Sequence, residues 1–284
     1  GGTMNSIIET MTYEMYETLP GLRFSQLRRI EESPLAYRWH LDNPDTETRS
    51  TTLGGALHAL VLEPETFDNR YARRPPGINL TTKEGRMWKE TVPFGVEILG
   101  AGDTEKLDLM RDSLYRHPLA RELLEAPGIN EGTIQWKGHG GRLHKARMDR
   151  ILTNGVIIDL KTTSYFEQRL FQSDAWKRFY HAQFASYDWA CRTRGLPTPP
   201  NGEHFAVVVS SAAPYDVAVY AIGEPILAAG LADVERWLRT LSHCEKTNEW
   251  PGKYPEILEF TPPKWALDSE LGVDYFVNQA GGIL

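Results

Sequence analysis

Asp149, Asp159 and Lys161 are the residues whose types and spacing could do chemistry together. They lie in the run KARMDRILTNGVIIDLKTT, residues 145–163. The segment from Gly155 to Lys161 reads as a short buried strand ending in charge. Side chains alternate across a strand, so Asp159 and Lys161 share one face and Leu160 points to the other. Asp149 ends a preceding strand-like run, Leu143–Met148, and a hairpin through Thr153-Asn154-Gly155 would return it beside Asp159. Two carboxylates and an ammonium would then converge at the lip of a sheet. That set suits a hard divalent cation and the activation of a water for attack on a phosphodiester. The same residues also fit a surface hairpin with solvated charge at its strand ends.

The elements that must position them can be traced along the chain. Ser25 and Ser33-Pro34 read as two helix starts, the second with proline at the first helical position. Thr52–Leu62 reads as a buried helix closed by Pro64, and 74–77 as a loop. Helices follow at Thr104–Tyr115 and Leu119–Glu125, stopped by Pro127-Gly128. Strands are predicted at about 130–137, 142–149 and 155–161, then one long helix at about 175–194. Two further strands, Phe205–Ser210 and Val217–Ala221, precede a last long helix at about Pro225–Cys244 and a loop-like tail. This order predicts an α/β fold: a mixed sheet flanked by helices, with a helical elaboration at the N-terminus.

Other candidates lie on these elements. His58 sits in the apolar helix as either a satisfied histidine or a ligand, since neutral imidazole binds Mn²⁺ and, less well, Mg²⁺. Glu131 begins the strand before Asp149, where it binds metal or caps the strand. Gln183 and Tyr187 are four apart on a helix and share a face. Tyr180 and His181 are their neighbours. Trp136, Trp176, Trp189, Trp237, Trp250 and Trp265 read as core or interface residues. Arg23 and Phe24 are candidates to meet a nucleic-acid end.

These residues resemble the core motif of the PD-(D/E)XK nuclease superfamily, with Asp149 in the first acidic position and Asp159-Leu160-Lys161 as its D-x-K element. More narrowly, the chain resembles the RecE-type phage exonucleases, the exonuclease VIII family. SQLRRIEESPLAYRWH (25–40), LGGALHALVLEPETF (53–67), TKEGRMWKE (82–90) and EGTIQWKGHGGRLHKARMDRI (131–151) carry the resemblance over residues 20 to 265. LHALVLEP and KARMDR with IIDLKTT are its specific segments. Met148 stands where the family often has proline. The resemblance implies a PD-(D/E)XK (restriction-endonuclease-like) core at about 120–222 within one domain spanning 1–284. The helical part would cover about 20–119, and the C-terminal helix and tail 223–284.

It also implies a site. Asp149, Asp159 and the Leu160 carbonyl would hold one Mg²⁺, with Mn²⁺ as a substitute. His58 with Asp149 would hold a second, and Glu131, where the family places a glutamate, would bind metal directly or through water. Lys161 would orient or deprotonate the attacking water, and Gln183 and Tyr187 would position the scissile phosphate or the water. The implied activity is a processive 5′→3′ double-strand DNA exonuclease that leaves 3′ tails for phage-type recombination. Implied partners are duplex DNA ends, further copies of the chain in a ring of four or three, and a single-strand annealing protein. Two rival readings are an endonuclease on the same core and a DNA-binding or assembly module without catalysis.

Composition bounds these readings. The chain has 284 residues, 41% of them hydrophobic, enough for a substantial core. The net charge of −7 runs against a polyanionic partner. A local channel lined by Arg73, Arg74, Lys145, Arg147, Arg150, Lys177 and Arg178 would offset it. Cys191 and Cys244 are the two cysteines, too few for a four-cysteine iron–sulfur cluster within one chain, and are expected as free thiols in a reducing compartment. Neither a membrane-spanning run nor a signal peptide is visible, so a cytoplasmic location is expected. Gly1-Gly2-Thr3 reads as a cloning remnant.

Overall fold

The structure is a computed structural model and describes residues 4, 7–43 and 49–262. Eight strands are present among them: β1 (Glu9–Thr10), β2 (Tyr71–Arg73), β3 (Glu97–Leu99), β4 (Gly128–Lys137), β5 (Leu143–Leu152), β6 (Ile157–Thr163), β7 (His204–Ser210) and β8 (Val217–Ile222). The helices in chain order are α1 (Tyr13–Thr18), α2 (Phe24–Leu27), α3 (Pro34–Asp42), α4 (Arg49–Leu62), α5 (Phe67–Arg70), α6 (Lys83–Thr91), α7 (Ala101–Arg116), α8 (Pro118–Glu125), α9 (Gln168–Lys177), α10 (Tyr180–Thr193) and α11 (Glu224–Thr247).

Six strands form one sheet in the order β1-β4-β5-β6-β7-β8. Only the β6/β7 pair is parallel, with α9 and α10 in its crossover. The other pairs are antiparallel, so the sheet is mixed. β2 and β3 form a separate parallel pair that the sequence did not suggest.

The strands at the sheet centre are apolar on both faces, as strands covered on both sides must be. Ile158, Leu160, Val207 and Val209 pack with Leu57 and Val61 of α4 and Leu107 and Met110 of α7. Ile157, Ala206 and Val208 pack on the opposite face with Phe184, Ala190 and Cys191 of α10. Each fully buried aliphatic side chain contributes about 1.5–3 kcal/mol, so β6 is clamped from both sides. Its period of two therefore presents Leu160 to α4, and Lys161 to α10. The β5–β6 turn forms at Thr153-Asn154-Gly155 as expected. Gly155 takes φ +87°, and a Cβ there would lie 1.9 Å from the Pro197 carbonyl oxygen.

Three expectations are corrected. The helix expected over 175–194 is two helices, because Phe179 adopts a left-handed φ of 61° and packs its ring on Trp237. Ser25 lies inside α2, whose start is instead fixed by the Gln26 side chain accepting the Arg23 N–H at 3.3 Å. Glu131 is the fourth residue of β4, not its first. Ser33 does cap α3, its hydroxyl accepting the Ala36 N–H at 3.0 Å. Cys191 and Cys244 are buried thiols. Trp136 and Trp237 are buried, and Trp250 stacks on Tyr37. Trp176 is half exposed and stacks on His181. Trp265 lies outside the described residues. Among these residues no helix is long and apolar enough to cross a membrane.

Candidate active site

β5 and β6 pair only at Arg150 with Ile158 and at Ile151 with Ile157. Beyond that point the Asp149 carboxylate takes over the ladder: its Oδ2 accepts the Leu160 N–H at 2.7 Å. α4 crosses the same spot. His58 Nε2 lies 2.7 Å from the Leu160 carbonyl oxygen. A carbonyl only accepts, so Nε2 carries the proton, and burial lowers the ring's pKa. A neutral ring then has a bare Nδ1, which faces Asp149 Oδ2 at 3.5 Å. Two lone pairs confront each other there unless a proton or a cation lies between them.

Glu131 adds a third ligand group. It stands across from Asp149, between the rungs Asn130–Arg150 and Gly132–Met148. It holds a left-handed φ of 50°, a conformation that costs a non-glycine residue about 1–3 kcal/mol. Arg147 Nε donates to Glu131 Oε2 at 2.7 Å, and its other arm reaches Glu63 Oε1 at 3.0 Å. Ligand atoms of His58, Glu131 and Asp149 all lie within 4.8 Å of one another. Burial, then the neighbouring Asp149 charge, pushes the Glu131 carboxyl up to about 7. Burial, then the charge of Asp159, pushes Asp149 up to about 8.

Asp159 and Lys161 form the other half of the site. Asp159 is 1% exposed, and Lys161 Nζ approaches its Oδ2 at 2.5 Å. The approach is poorly aligned, and neither carboxylate oxygen has a hydrogen-bond donor in good geometry. Burial opposes the charge on Lys161, but Asp159 and Asp149 outweigh it and hold its pKa above the ordinary value. Lys161 Nζ also donates to Gln183 Oε1 at 3.2 Å and sits 4.7 Å from the Tyr180 ring centroid. Gln183 Nε2 donates to the Tyr187 hydroxyl at 3.0 Å, which donates in turn to the Arg147 carbonyl at 3.3 Å. The shared helical face thus becomes a chain of hydrogen bonds running from Lys161 to β5.

The donor set fits a hard divalent cation. It offers carboxylate oxygens and one neutral imidazole, and the buried oxygens of Asp159 lack aligned donors. His58, Glu131 and Asp149 converge, while Asp159 is joined to Lys161 and the Leu160 carbonyl is engaged by His58.

The cluster opens into a cavity of about 1220 Å³. Lys145, Arg147 and Arg178 of the expected channel line it. Lys145 is spent within the fold: its ammonium donates to the carbonyls of Tyr16, Glu17 and Leu19 at 2.9, 3.1 and 2.8 Å. Arg150 is likewise consumed, bonding Leu123, Asn130 and Ala126 behind the sheet. Arg178 pairs with Asp174 at 2.6 Å and stays more than half exposed. Arg73 pairs with Asp108 at 2.8 Å, and Arg74 follows it at the end of β2. Lys177 closes α9. Arg73, Arg74 and Lys177 do not line the cavity, whereas Arg23, Phe24, Arg70 and Lys106 do. His181 turns away, bonded to Asp233 at 3.0 Å.

Sequence reasoning missed Glu63, Tyr16 and Arg70. Glu63 lies in the motif LHALVLEP, but its use as a brace between Arg147 and Arg70 depends on contacts 84 and seven residues away.

Residues 23–259 match the family model described as "PDDEXK-like domain of unknown function (DUF3799)". The chain belongs to this PDDEXK-like family. Its fold is the PD-(D/E)XK nuclease fold, and the D-x-K strand and Asp149 occupy the sheet lip described above. Among solved structures, a "putative exonuclease" from Eubacterium rectale aligns at TM-score 0.61 and 12% identity. The alignment covers 92% of the PDDEXK-like chain and 99% of the other. A second, SSO0001, aligns at TM-score 0.30 and 15% identity over 78% of this chain and 86% of its own, too weakly to bear on the fold. No curated protein matches.

Proposed function

We propose that this protein is a Mg²⁺-dependent double-strand DNA exonuclease of the RecE type, digesting 5′→3′ and leaving 3′ tails for recombination. The observation that carries the reading is the cluster of His58, Glu131 and Asp149 beside the Asp159–Lys161 pair. These three residues, with Asp159 adjoining, would hold the cation. A bound divalent ion supplies Lewis-acid stabilisation of the phosphate and lowers the pKa of a bound water.

The chain's own residues supply the rest. Lys161 is an ammonium held over the cavity, so it donates to the attacking water or to a phosphate oxygen and offsets the charge that grows there. Gln183 fixes the lysine, and Tyr187 fixes Gln183. Burial raises the Tyr187 pKa well above its ordinary value, so this anchor stays a neutral phenol. Arg147 holds Glu131 in its left-handed conformation toward Asp149. The clustered carboxylates refuse an anion until a cation is present, which makes metal binding a precondition for substrate.

The exonuclease mode rests on the resemblance of the whole chain to RecE-type enzymes. An endonuclease on the same core is separated from it by one plasmid. Closed circular DNA should survive while the linearised form disappears in Mg²⁺. Nicking or linearisation of the circle would favour the endonuclease. We propose further that a cytoplasmic ring of copies surrounds the DNA, since a chain of net charge −7 needs a bore that gathers its cations.

A further inference from the structure

Resting on the nuclease reading above, the structure assigns Gly54 a role in seating the strand that is cut. We propose that it leaves a notch in α4 for the sugar–phosphate backbone next to the scissile phosphate. Glycine within a helix is less stable than alanine there, so its presence calls for a reason. Gly55, its neighbour, has one: a Cβ at that position would lie 3.1 Å from the hydroxyl of the buried Tyr71. Gly54 has none among the described residues. Beyond its own helix, a Cβ there would meet only Thr162 Oγ1 among those residues, at 3.6 Å, an ordinary contact distance.

The notch faces the chemistry. Gly54 and His58 are four residues apart and lie on the same side of α4, about 6 Å apart along its axis. Both line the cavity, as do Leu160, Lys161 and Thr162. A group resting on Gly54 is therefore beside the metal-binding cluster, not in it. Two further observations point to a ligand. The Thr162 hydroxyl across the notch makes no hydrogen bond within the described residues, and so is free to donate to a phosphate oxygen. Lys161 lines the same end of the cavity, and its ammonium is the charge there that suits a phosphate oxygen. A strand whose scissile phosphate approaches His58 and Lys161 must run its neighbouring sugar past α4. The backbone can lie in contact with the helix only where no side chain projects.

The test is a pair of variants, Gly54→Ala and Gly54→Leu, read by three assays. Thermal melting without DNA should show Gly54→Ala as stable as wild type or about 1–4 °C more so. Mg²⁺ titrated into either variant by calorimetry should bind as it does to wild type. KM for a linear duplex should rise severalfold with alanine, and kcat/KM should fall on the order of 10²-fold with leucine. A lower melting temperature for Gly54→Ala would mean that packing demands the glycine, and would overturn the proposal. Wild-type kinetics in both variants would overturn the notch alone. A wild-type chain that neither binds nor cuts DNA would remove the nuclease reading and the notch together.

Discussion

Lys161→Met separates the two tasks of this lysine. The substitution keeps an unbranched stem of similar length but removes the ammonium. Asp159, 1% exposed and 2.5 Å from that ammonium, then has no compensating charge. Breaking a buried pair from one side costs about 3–5 kcal/mol. At about 2–4 °C per kcal/mol for a chain of this size, the melting temperature in EDTA should fall by about 6–20 °C at pH 7. The deficit should shrink in millimolar Mg²⁺, because the variant no longer holds an ammonium that competes with the metal for the same carboxylates. The Mg²⁺-induced rise in melting temperature should therefore be larger in the variant than in wild type. Cleavage should still drop by about 10²–10⁴-fold, since the metal restores charge balance but not the donor aimed at water or phosphate. Differential scanning calorimetry in EDTA and in Mg²⁺, with a fluorescent digestion assay, reads all of this. An unchanged melting temperature in EDTA, or cleavage within a fewfold of wild type, would refute the reasoning.

His58→Ala should lose activity at low Mg²⁺ and recover in part at high Mg²⁺ or with Mn²⁺; an unchanged metal dependence with a large fall in melting temperature would make His58 a packing residue instead. Lys145→Met should destabilise by about 2–4 kcal/mol in urea unfolding, because three backbone carbonyls lose a charged donor, yet leave DNA affinity in the remaining folded protein nearly intact. A stable variant that fails to bind DNA would show that Lys145 is a phosphate contact after all. Burial, then Arg142, pushes the His144 imidazole down to about 4. Between pH 6.5 and 4 the unfolded chain takes up a proton that the folded one refuses, so stability should fall through that window by about 2–3 kcal/mol and His144→Phe should flatten the decline. Light scattering should find three or four copies of the 32.2 kDa chain; a monomer that digests kilobases per encounter rules the ring out.

Much of the central architecture was legible because it is local. Alternation in Ile157–Thr163 places Leu160 opposite to Asp159 and Lys161, and the Asn154-Gly155 turn returns β6 beside β5. The spacing of Gln183 and Tyr187 foretold a common face, and that face does meet Lys161. What stayed hidden depends on pairs distant in sequence. Nothing near Lys145 shows that the end of α1 will fold over it. Nothing near Phe179 shows that Trp237 will draw its ring aside and break the helix. The convergence of Glu131 with His58 and Asp149 was hidden for the same reason. Asp149 and Asp159 look equivalent along the chain, but only Asp149 is reached by both α4 and Glu131, while Asp159 is screened by Lys161. Charge counting also misled for Arg150, whose guanidinium satisfies backbone carbonyls at the α8 end.

The most direct measurement is digestion of a linear duplex labelled at either the 5′ or the 3′ end, by wild type and Asp149→Asn, in Mg²⁺ and in EDTA. Asp149→Asn keeps an acceptor for the Leu160 N–H but removes the carboxylate shared with His58 and Glu131. Wild type in Mg²⁺ should release the 5′ label early as mononucleotides while the 3′ label remains on long strands. EDTA and Asp149→Asn should each abolish release. No hydrolysis by wild type in Mg²⁺ or Mn²⁺, or equal hydrolysis by Asp149→Asn, would contradict a metal-dependent nuclease centred on this cluster.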